Sequence, residues 1–299
     1  MAITIYPVTP EFVAEVGDVD LSRPLDPAEL DEIKEAFWKY AVLVFPDQYL
    51  SQDQHLEFAQ NFGPLEVSIS AYREGDPKRM RVELANVSNL GADDELLPED
   101  SRVLGMQKAN LLWHTDSSFK WVPALTSLLY ARAIPPVGGL TEFADTRAAY
   151  DALSGDMKAR LEGLVAEHWY LHSRTKSGFT TFTDVERENL PPVPQVMVRT
   201  GPESDRKALY VASHIRRVLG LSEAEGETLV AELIAHTTQR QFVYSHRWRL
   251  HDLVMWDDRC TLHRGLGYDD LRWKRDMHRA TVSDVANTCE QAGISVAAE

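Results

Sequence analysis

The segment Asn110–Phe119, NLLWHTDSSF, sets a histidine and an aspartate two positions apart in a run that is otherwise apolar, aromatic or small and polar. In an extended chain residues i and i+2 share a face, so His114 and Asp116 project together while Thr115 points away. An imidazole and a carboxylate on one face supply two ligands of a facial triad, and a distant histidine would complete a divalent iron site with open positions. The candidate third ligand is His263 in VMWDDRCTLHRG, which follows a strand-like run and is one of ten histidines. Spacing alone leaves other readings open: a core histidine bonded to a nearby carboxylate, or a zinc site, since zinc also accepts His and Asp.

Such a site needs strands to carry it. Runs rich in β-branched and aromatic residues occur at 41–45, 125–134, 141–145, 167–173, 196–200, 208–213, 241–248 and 252–258. Helical patterns cover 26–41, 51–63 with Ser51 as cap and Gly63 as stop, 146–164, and 221–238 with Ser222 as cap. Short strands with turns between them, and helices placed early or in insertions, predict a mainly β protein with flanking helices, built as a β-sandwich or jelly roll. The proline clusters at 134–139 and 190–194 are too short for linkers, so residues 1–299 are expected to form a single domain.

A net charge of −15 opposes nucleic-acid binding, which needs clustered Lys and Arg, yet it leaves room for a basic pocket that takes a small anion. No run approaches the roughly 20 apolar residues of a membrane span. The opening residues MAITIYPVTPEF show no basic segment followed by an apolar stretch, so a cytoplasmic location is expected. Cys260 and Cys289 read as free thiols. The expected assembly is a homo-oligomer.

Four motifs, WHTDSSF, PPVGGLTEFAD, WDDRCTLHRG and KRDMHRAT, follow one another at wide separations. This order resembles the taurine dioxygenase and 2,4-dichlorophenoxyacetate dioxygenase family of Fe(II)- and 2-oxoglutarate-dependent enzymes. The resemblance runs from AVLVFPDQYLSQDQHLEFAQNFGPLE to about Thr281 and looks closest to the aryloxyacetate-cleaving branch. It implies a double-stranded β-helix in which His114, Asp116 and His263 bind Fe(II), leaving positions for 2-oxoglutarate and O2. Retention of Asp116 implies hydroxylation rather than halogenation.

By the same resemblance Arg275 grips the far carboxylate of 2-oxoglutarate, for which a guanidinium fork suits better than neighbouring Lys274. Thr141 donates to that carboxylate, with Gly138 and Gly139 allowing the turn before it. Arg279, on one strand with Arg275 and about 13 Å further along, serves the cosubstrate and the acidic group of the substrate. Asn110 lies beside both. The two arginines neutralise a set that metal, Asp116, cosubstrate and an anionic substrate would leave two charges negative.

The chain departs from the 2,4-dichlorophenoxyacetate enzyme where that protein has a lysine in place of Ala71 and histidines in place of Gly201 and Arg217. Arg73, His214 or Arg217 are candidates to compensate. Asp258 stands where the family motif usually has asparagine. His168, His172, His246 and His251 read as structural or surface groups, Trp248, Trp256 and Trp273 as core or pocket wall, and Trp113 as a shield for the metal. The expected substrate is a small anionic aryloxyacetate, cleaved to a phenol and glyoxylate. A taurine or alkyl sulfonate dioxygenase is the alternative within the class, and a zinc hydrolase or non-catalytic metal-binding β-sandwich the alternative outside it.

Overall fold

The computed structural model describes residues 3–71 and 79–296. Alternation along the strands builds its core, because successive side chains of a strand point to opposite faces. Leu43, Phe45, Leu128, Tyr130, Leu253 and Met255 turn one way, onto Ile33 and Phe37 of helix Pro27–Tyr40 and Leu56 and Phe58 of helix Gln52–Gln60. Their neighbours Val42, Val44, Leu129, Ala131, Val254 and Trp256 turn the other way and meet Phe143 of a second sheet.

The larger sheet runs Thr4–Pro7, Val13–Gly17, Val42–Phe45, Leu253–Asp257, Ala124–Ala133, Asp276–Ser283, Leu84–Ser88. Only the pairing of Val13–Gly17 with Val42–Phe45 is parallel. The smaller sheet sets Thr141–Asp145 between Val243–His246 and Thr261–Gly265, both antiparallel to it. Behind it Ala144 and Leu262 pack on Leu229 and Leu233 of helix Glu223–Thr237. The result is the expected mainly β architecture: two sheets face to face, with helices on the outer side of each. Parity then decides what enters the space between them. Ser127, Leu129, Thr141, Phe143, His263 and Arg279 all fall on inward positions.

Among the described residues four helices begin with reciprocal capping boxes, Asp26 with Glu29, Ser51 with Gln54, Thr183 with Glu186 and Ser222 with Glu225, and the caps at Ser51 and Ser222 are those expected from the sequence. The helix from Ser51 ends at Gln60, before Gly63. Residues 146–164 hold two helices, Thr146–Asp151 and Gly155–Leu161, instead of one. The break follows from Ser154, whose extended backbone lets its hydroxyl accept from the Met157 N–H and cap a new helix. The run 167–173 is likewise divided into strand Val165–His168 and helix Tyr170–Lys176, because Tyr170, Leu171, Ser173 and Arg174 bury at helical spacing. Within 208–213 only the end of strand Lys207–Leu209 pairs.

Two buried histidines make the fold acid-sensitive. His55 bonds the Leu128 carbonyl at 3.1 Å, His168 meets the Ser118 hydroxyl at 2.9 Å, and burial pushes both imidazoles down to about 3. The folded chain keeps them neutral while the unfolded chain protonates near the ordinary value of 6.5, so stability present above 6.5 is lost as pH falls toward 3. Each histidine contributes about 1.4 kcal/mol per pH unit inside that window. Urea denaturation should therefore show stability falling from neutral pH to mildly acidic pH, with His55→Gln flattening the slope by about that amount. An unchanged slope in the variant would mean that His55 carries no such penalty.

Candidate active site

His114 and His263 face each other across a single antiparallel bridge. The His114 N–H donates to the His263 carbonyl at 3.0 Å, the reverse bond is 2.7 Å, and the ring centroids are 4.2 Å apart. His263 sits in strand Thr261–Gly265, with neighbouring Leu262 turned to the outer core. The segment around His114 is less regular than an extended run: the bridge is its one paired position, and the chain turns after Asp116 through Ser117 at a φ of 50°. The three heads nevertheless converge. One ligand atom from each of His114, Asp116 and His263 lies within 4.8 Å of the others. A carbonyl can only accept, so the 2.7 Å contact of His114 Nδ1 with the Leu112 carbonyl places the proton on Nδ1 and leaves the Nε2 lone pair facing Asp116.

Asp116 is fixed on both oxygens. The Ser127 hydroxyl donates to Oδ2 at 2.9 Å, and Arg279 Nη1 donates to Oδ1. Burial alone would raise this carboxyl, but the Arg279 guanidinium overrides it and holds it at about 2. Burial pushes His114 down to about 4 and His263 well below the usual imidazole range. The site thus presents two neutral imidazoles and an ionised carboxylate. Beneath it, Asp258 Oδ1 accepts from the Asp116 N–H at 3.0 Å and from Trp256 Nε1 at 2.9 Å. Burial and the charge of Asp116 push the Asp258 carboxyl well above its usual range.

His114 and His263 open onto a chamber of about 500 Å³ whose walls also include Asn110, Thr141, Arg275 and Arg279. Arg275 precedes strand Asp276–Ser283 instead of lying in it, and its N–H is fixed on Asn89 Oδ1 at 2.9 Å. Its buried guanidinium has no carboxylate or carbonyl partner among the described residues. Burial lowers it to about 10, with only Tyr268 acting in the opposite direction. Trp248 Nε1 donates to the Thr141 hydroxyl oxygen at 3.0 Å, so the hydroxyl's own proton is directed elsewhere and is available to the chamber. A buried cation without an anion, a free hydroxyl donor and a His-Asp-His set in one cavity match the needs of a divalent metal and an oxo-dicarboxylate.

Several expectations require correction. Trp113 lines a different cavity and lies under Arg264, while Trp256 packs on His263 at 4.7 Å. Trp273 is partly exposed, so it is not core. Arg217 pairs with Glu167 at 3.1 Å outside the chamber, Gly201 lies in a turn beside Ser204, and Ala71 is exposed. His214 bonds the Ser173 hydroxyl and sets its ring 5.9 Å from that of His114, without lining the chamber. Arg73 lies outside the described residues. His246 pairs with Asp252, and both cysteines are buried free thiols. Sequence reasoning missed Ser127 as a partner of Asp116 and Trp248 as a partner of Thr141; strand parity points to Ser127, whereas no local pattern marks Trp248.

Comparison with known proteins agrees with this geometry. The family described as "Taurine catabolism dioxygenase TauD, TfdA family" matches residues 4–281. The alpha-ketoglutarate-dependent 2,4-dichlorophenoxyacetate dioxygenase of Cupriavidus pinatubonensis is 46% identical over 286 residues, covering 96% of this chain and 99% of that protein. The (S)-phenoxypropionate/alpha-ketoglutarate-dioxygenase of Sphingobium herbicidovorans is 37% identical, covering 96% of this chain and 97% of its own. The crystal structure of AAD-2 in complex with Mn(II) and N-oxalylglycine superposes with a TM-score of 0.87 at 47% identity, covering 96% of this chain and 99% of that one. Matches of this length and identity make the chain a member of the TauD/TfdA dioxygenase family.

Proposed function

We propose that this chain is an Fe(II)- and 2-oxoglutarate-dependent dioxygenase that hydroxylates aryloxyacetate-type acids such as 2,4-dichlorophenoxyacetate, releasing a phenol and glyoxylate. The observation that carries the reading is the buried Arg275, without an anionic partner among the described residues, in the chamber lined by His114 and His263 of the His-Asp-His set. A zinc hydrolase or a passive metal site has no use for that cation. The 46% identical relative from Cupriavidus, whose name specifies 2,4-dichlorophenoxyacetate, supports the substrate class. When bound, Fe(II) with 2-oxoglutarate supplies the O2 chemistry, in which the oxo acid becomes succinate and CO2 and a substrate C–H becomes C–OH.

The chain's own residues bind, orient and neutralise. His114 and His263 offer Nε2 and Asp116 a carboxylate oxygen to the metal, with Ser127 fixing the second oxygen. Arg275 takes the far carboxylate of 2-oxoglutarate as a fork, and Thr141 donates its free proton to the same group. Arg279 balances Asp116 and borders the chamber, where its guanidinium is placed to receive the substrate's carboxylate. Asn110 borders that position, and Leu104, Leu111 and Leu129 give an aryl body apolar walls. Water excluded by those walls strengthens both arginine contacts.

The remaining features of the reading are that residues 1–299 act as one catalytic domain and that the protein works in the cytoplasm as a homo-oligomer. Such an assembly would cover exposed apolar groups such as Trp121 and Val285. Its substrate is a small anion, without nucleic-acid or membrane partners, in keeping with a net charge of −15 and with no helix among the described residues long and apolar enough to cross a membrane.

Two experiments test this function. Arg275→Lys should raise the 2-oxoglutarate KM by about 10- to 150-fold, more than it raises the KM of the prime substrate, because one bidentate charge-assisted grip is lost. Equal KM values for 2-oxoglutarate in wild type and variant would remove Arg275 from the cosubstrate site. In a panel of acids scored by succinate release, aryloxyacetates should outperform taurine, and Arg279→Gln should lose activity on every anionic substrate while retaining slow uncoupled 2-oxoglutarate decarboxylation. Faster turnover of taurine would overturn the substrate assignment and leave the iron chemistry standing.

A further inference from the structure

Arg275 stands at the end of an irregular stretch. Between strands Thr261–Gly265 and Asp276–Ser283 the chain runs without helix or strand, and its residues Leu266, Gly267, Tyr268, Asp270 and Arg275 wall the metal chamber. Its beginning is tied to the turn before Thr141: the Leu266 N–H donates to the Leu140 carbonyl at 2.8 Å, and the Gly139 N–H to the Gly267 carbonyl at 3.3 Å. That close approach requires glycine, since Gly138 has a φ of 79° and a Cβ there would stand 2.6 Å from the Gly267 carbonyl oxygen.

The end of the stretch is held by one buried side chain, that of Asn89. Asn89 follows strand Leu84–Ser88, where the pairing of Ser88 with Asp276 makes Arg275 its next partner. The Asn89 N–H donates to the Arg275 carbonyl at 3.3 Å, as a ladder requires. The return bond is different. The Asn89 carbonyl accepts from the Leu97 N–H at 2.9 Å, and Asn89 Oδ1 takes its place in accepting from the Arg275 N–H at 2.9 Å. Both protons of Asn89 Nδ2 are used as well, on the Asp270 carbonyl at 2.6 Å and the Trp273 carbonyl at 2.9 Å. An amide supplies that acceptor and those two donors at once, which a carboxylate or a hydroxyl does not. Lys274 Nζ also meets the Asp94 carbonyl, at 2.7 Å, but from an exposed position where water competes.

We infer that Asn89 is a positioning residue for the cosubstrate, holding residues 270–275 so that the Arg275 guanidinium is aimed into the chamber before any anion arrives. The inference rests on the reading of Arg275 as the cation that grips 2-oxoglutarate. A hold is needed for an electrostatic reason. A guanidinium buried without an anion gains by swinging out to water, and burial lowers this one to about 10. Bonds that close only with the backbone in place oppose that escape, so 2-oxoglutarate does not have to order the chain as it binds. Asn89 itself is not among the chamber's walls, so its effect on the ligand passes through Arg275.

Calorimetry on the anaerobic Fe(II)-loaded protein tests this with Asn89→Ala and the milder Asn89→Ser. The Kd for 2-oxoglutarate should rise by about 5- to 50-fold in Asn89→Ala and by about 3- to 10-fold in Asn89→Ser. 2-Oxovalerate keeps the oxo-acid head but has a methyl group in place of the far carboxylate, so its Kd should change by less than about 2-fold. In turnover the 2-oxoglutarate KM should rise, while kcat at saturating 2-oxoglutarate and the KM of the prime substrate stay within about 3-fold. Equal losses for the two oxo acids would overturn the inference, because Asn89 would then support the site generally and not through Arg275. Arg275→Lys, measured alongside, separates the two readings. An unchanged 2-oxoglutarate Kd in that variant would overturn the role of Arg275 and the inference with it, whereas a raised Kd there beside wild-type values in both Asn89 variants would overturn the inference alone.

Discussion

The structure depends on how charge is balanced where water is excluded. Asp116 is buried between two imidazoles that burial keeps neutral, and Arg279 is the cation that lets it remain ionised. Of the interactions that offset burial and keep this carboxyl low, the charge of Arg279 is the largest. The His114–His263 bridge holds the imidazoles opposite each other by two backbone bonds, so ligand spacing follows from strand register and needs no rigid loop. Arg275 presents the complementary imbalance, a buried positive charge without an anion among the described residues.

Sheet parity links this electrostatic centre to the fold. The alternation that sends Leu128 and Leu253 to the helices sends Ser127, Leu129 and Trp256 toward the metal chamber. The same rule on the smaller sheet puts Leu262 in the outer core and His263 inside. A one-residue slip in any of these strands would exchange ligands for core side chains, which ties the hydrophobic pattern to the chemistry. Small groups then orient the reactive ones: Ser127 holds Asp116, the Leu112 carbonyl sets the tautomer of His114, and Trp248 turns the Thr141 hydroxyl toward the chamber.

Much of this was legible in the sequence because it is local. The helix caps at Ser51 and Ser222, the strands at 42–45 and 253–257 and the H-x-D spacing depend on neighbours within a few positions. The split at Ser154 was also local, but a continuous apolar pattern hid the cap. What sequence could not give were side-chain directions set by distant partners. Arg217 looked like a compensating cation until Glu167 took it, and Trp113 looked like a metal shield although its face turns to a different cavity. Family likeness supplied the roles of Arg275 and Thr141, which no spacing rule could have provided; the geometry adds that one is an unpaired buried cation and the other a hydroxyl with a free proton.

The central claim is that His114, Asp116 and His263 hold a metal whose presence completes the site for an oxo-dicarboxylate beside Arg275. Anaerobic calorimetry of 2-oxoglutarate binding, with and without one equivalent of Fe(II), tests it most directly. The account predicts that Fe(II) tightens 2-oxoglutarate binding by more than about tenfold in the wild-type chain, a coupling that disappears in Asp116→Ala. Equal affinity with and without Fe(II) in the wild-type chain would contradict it.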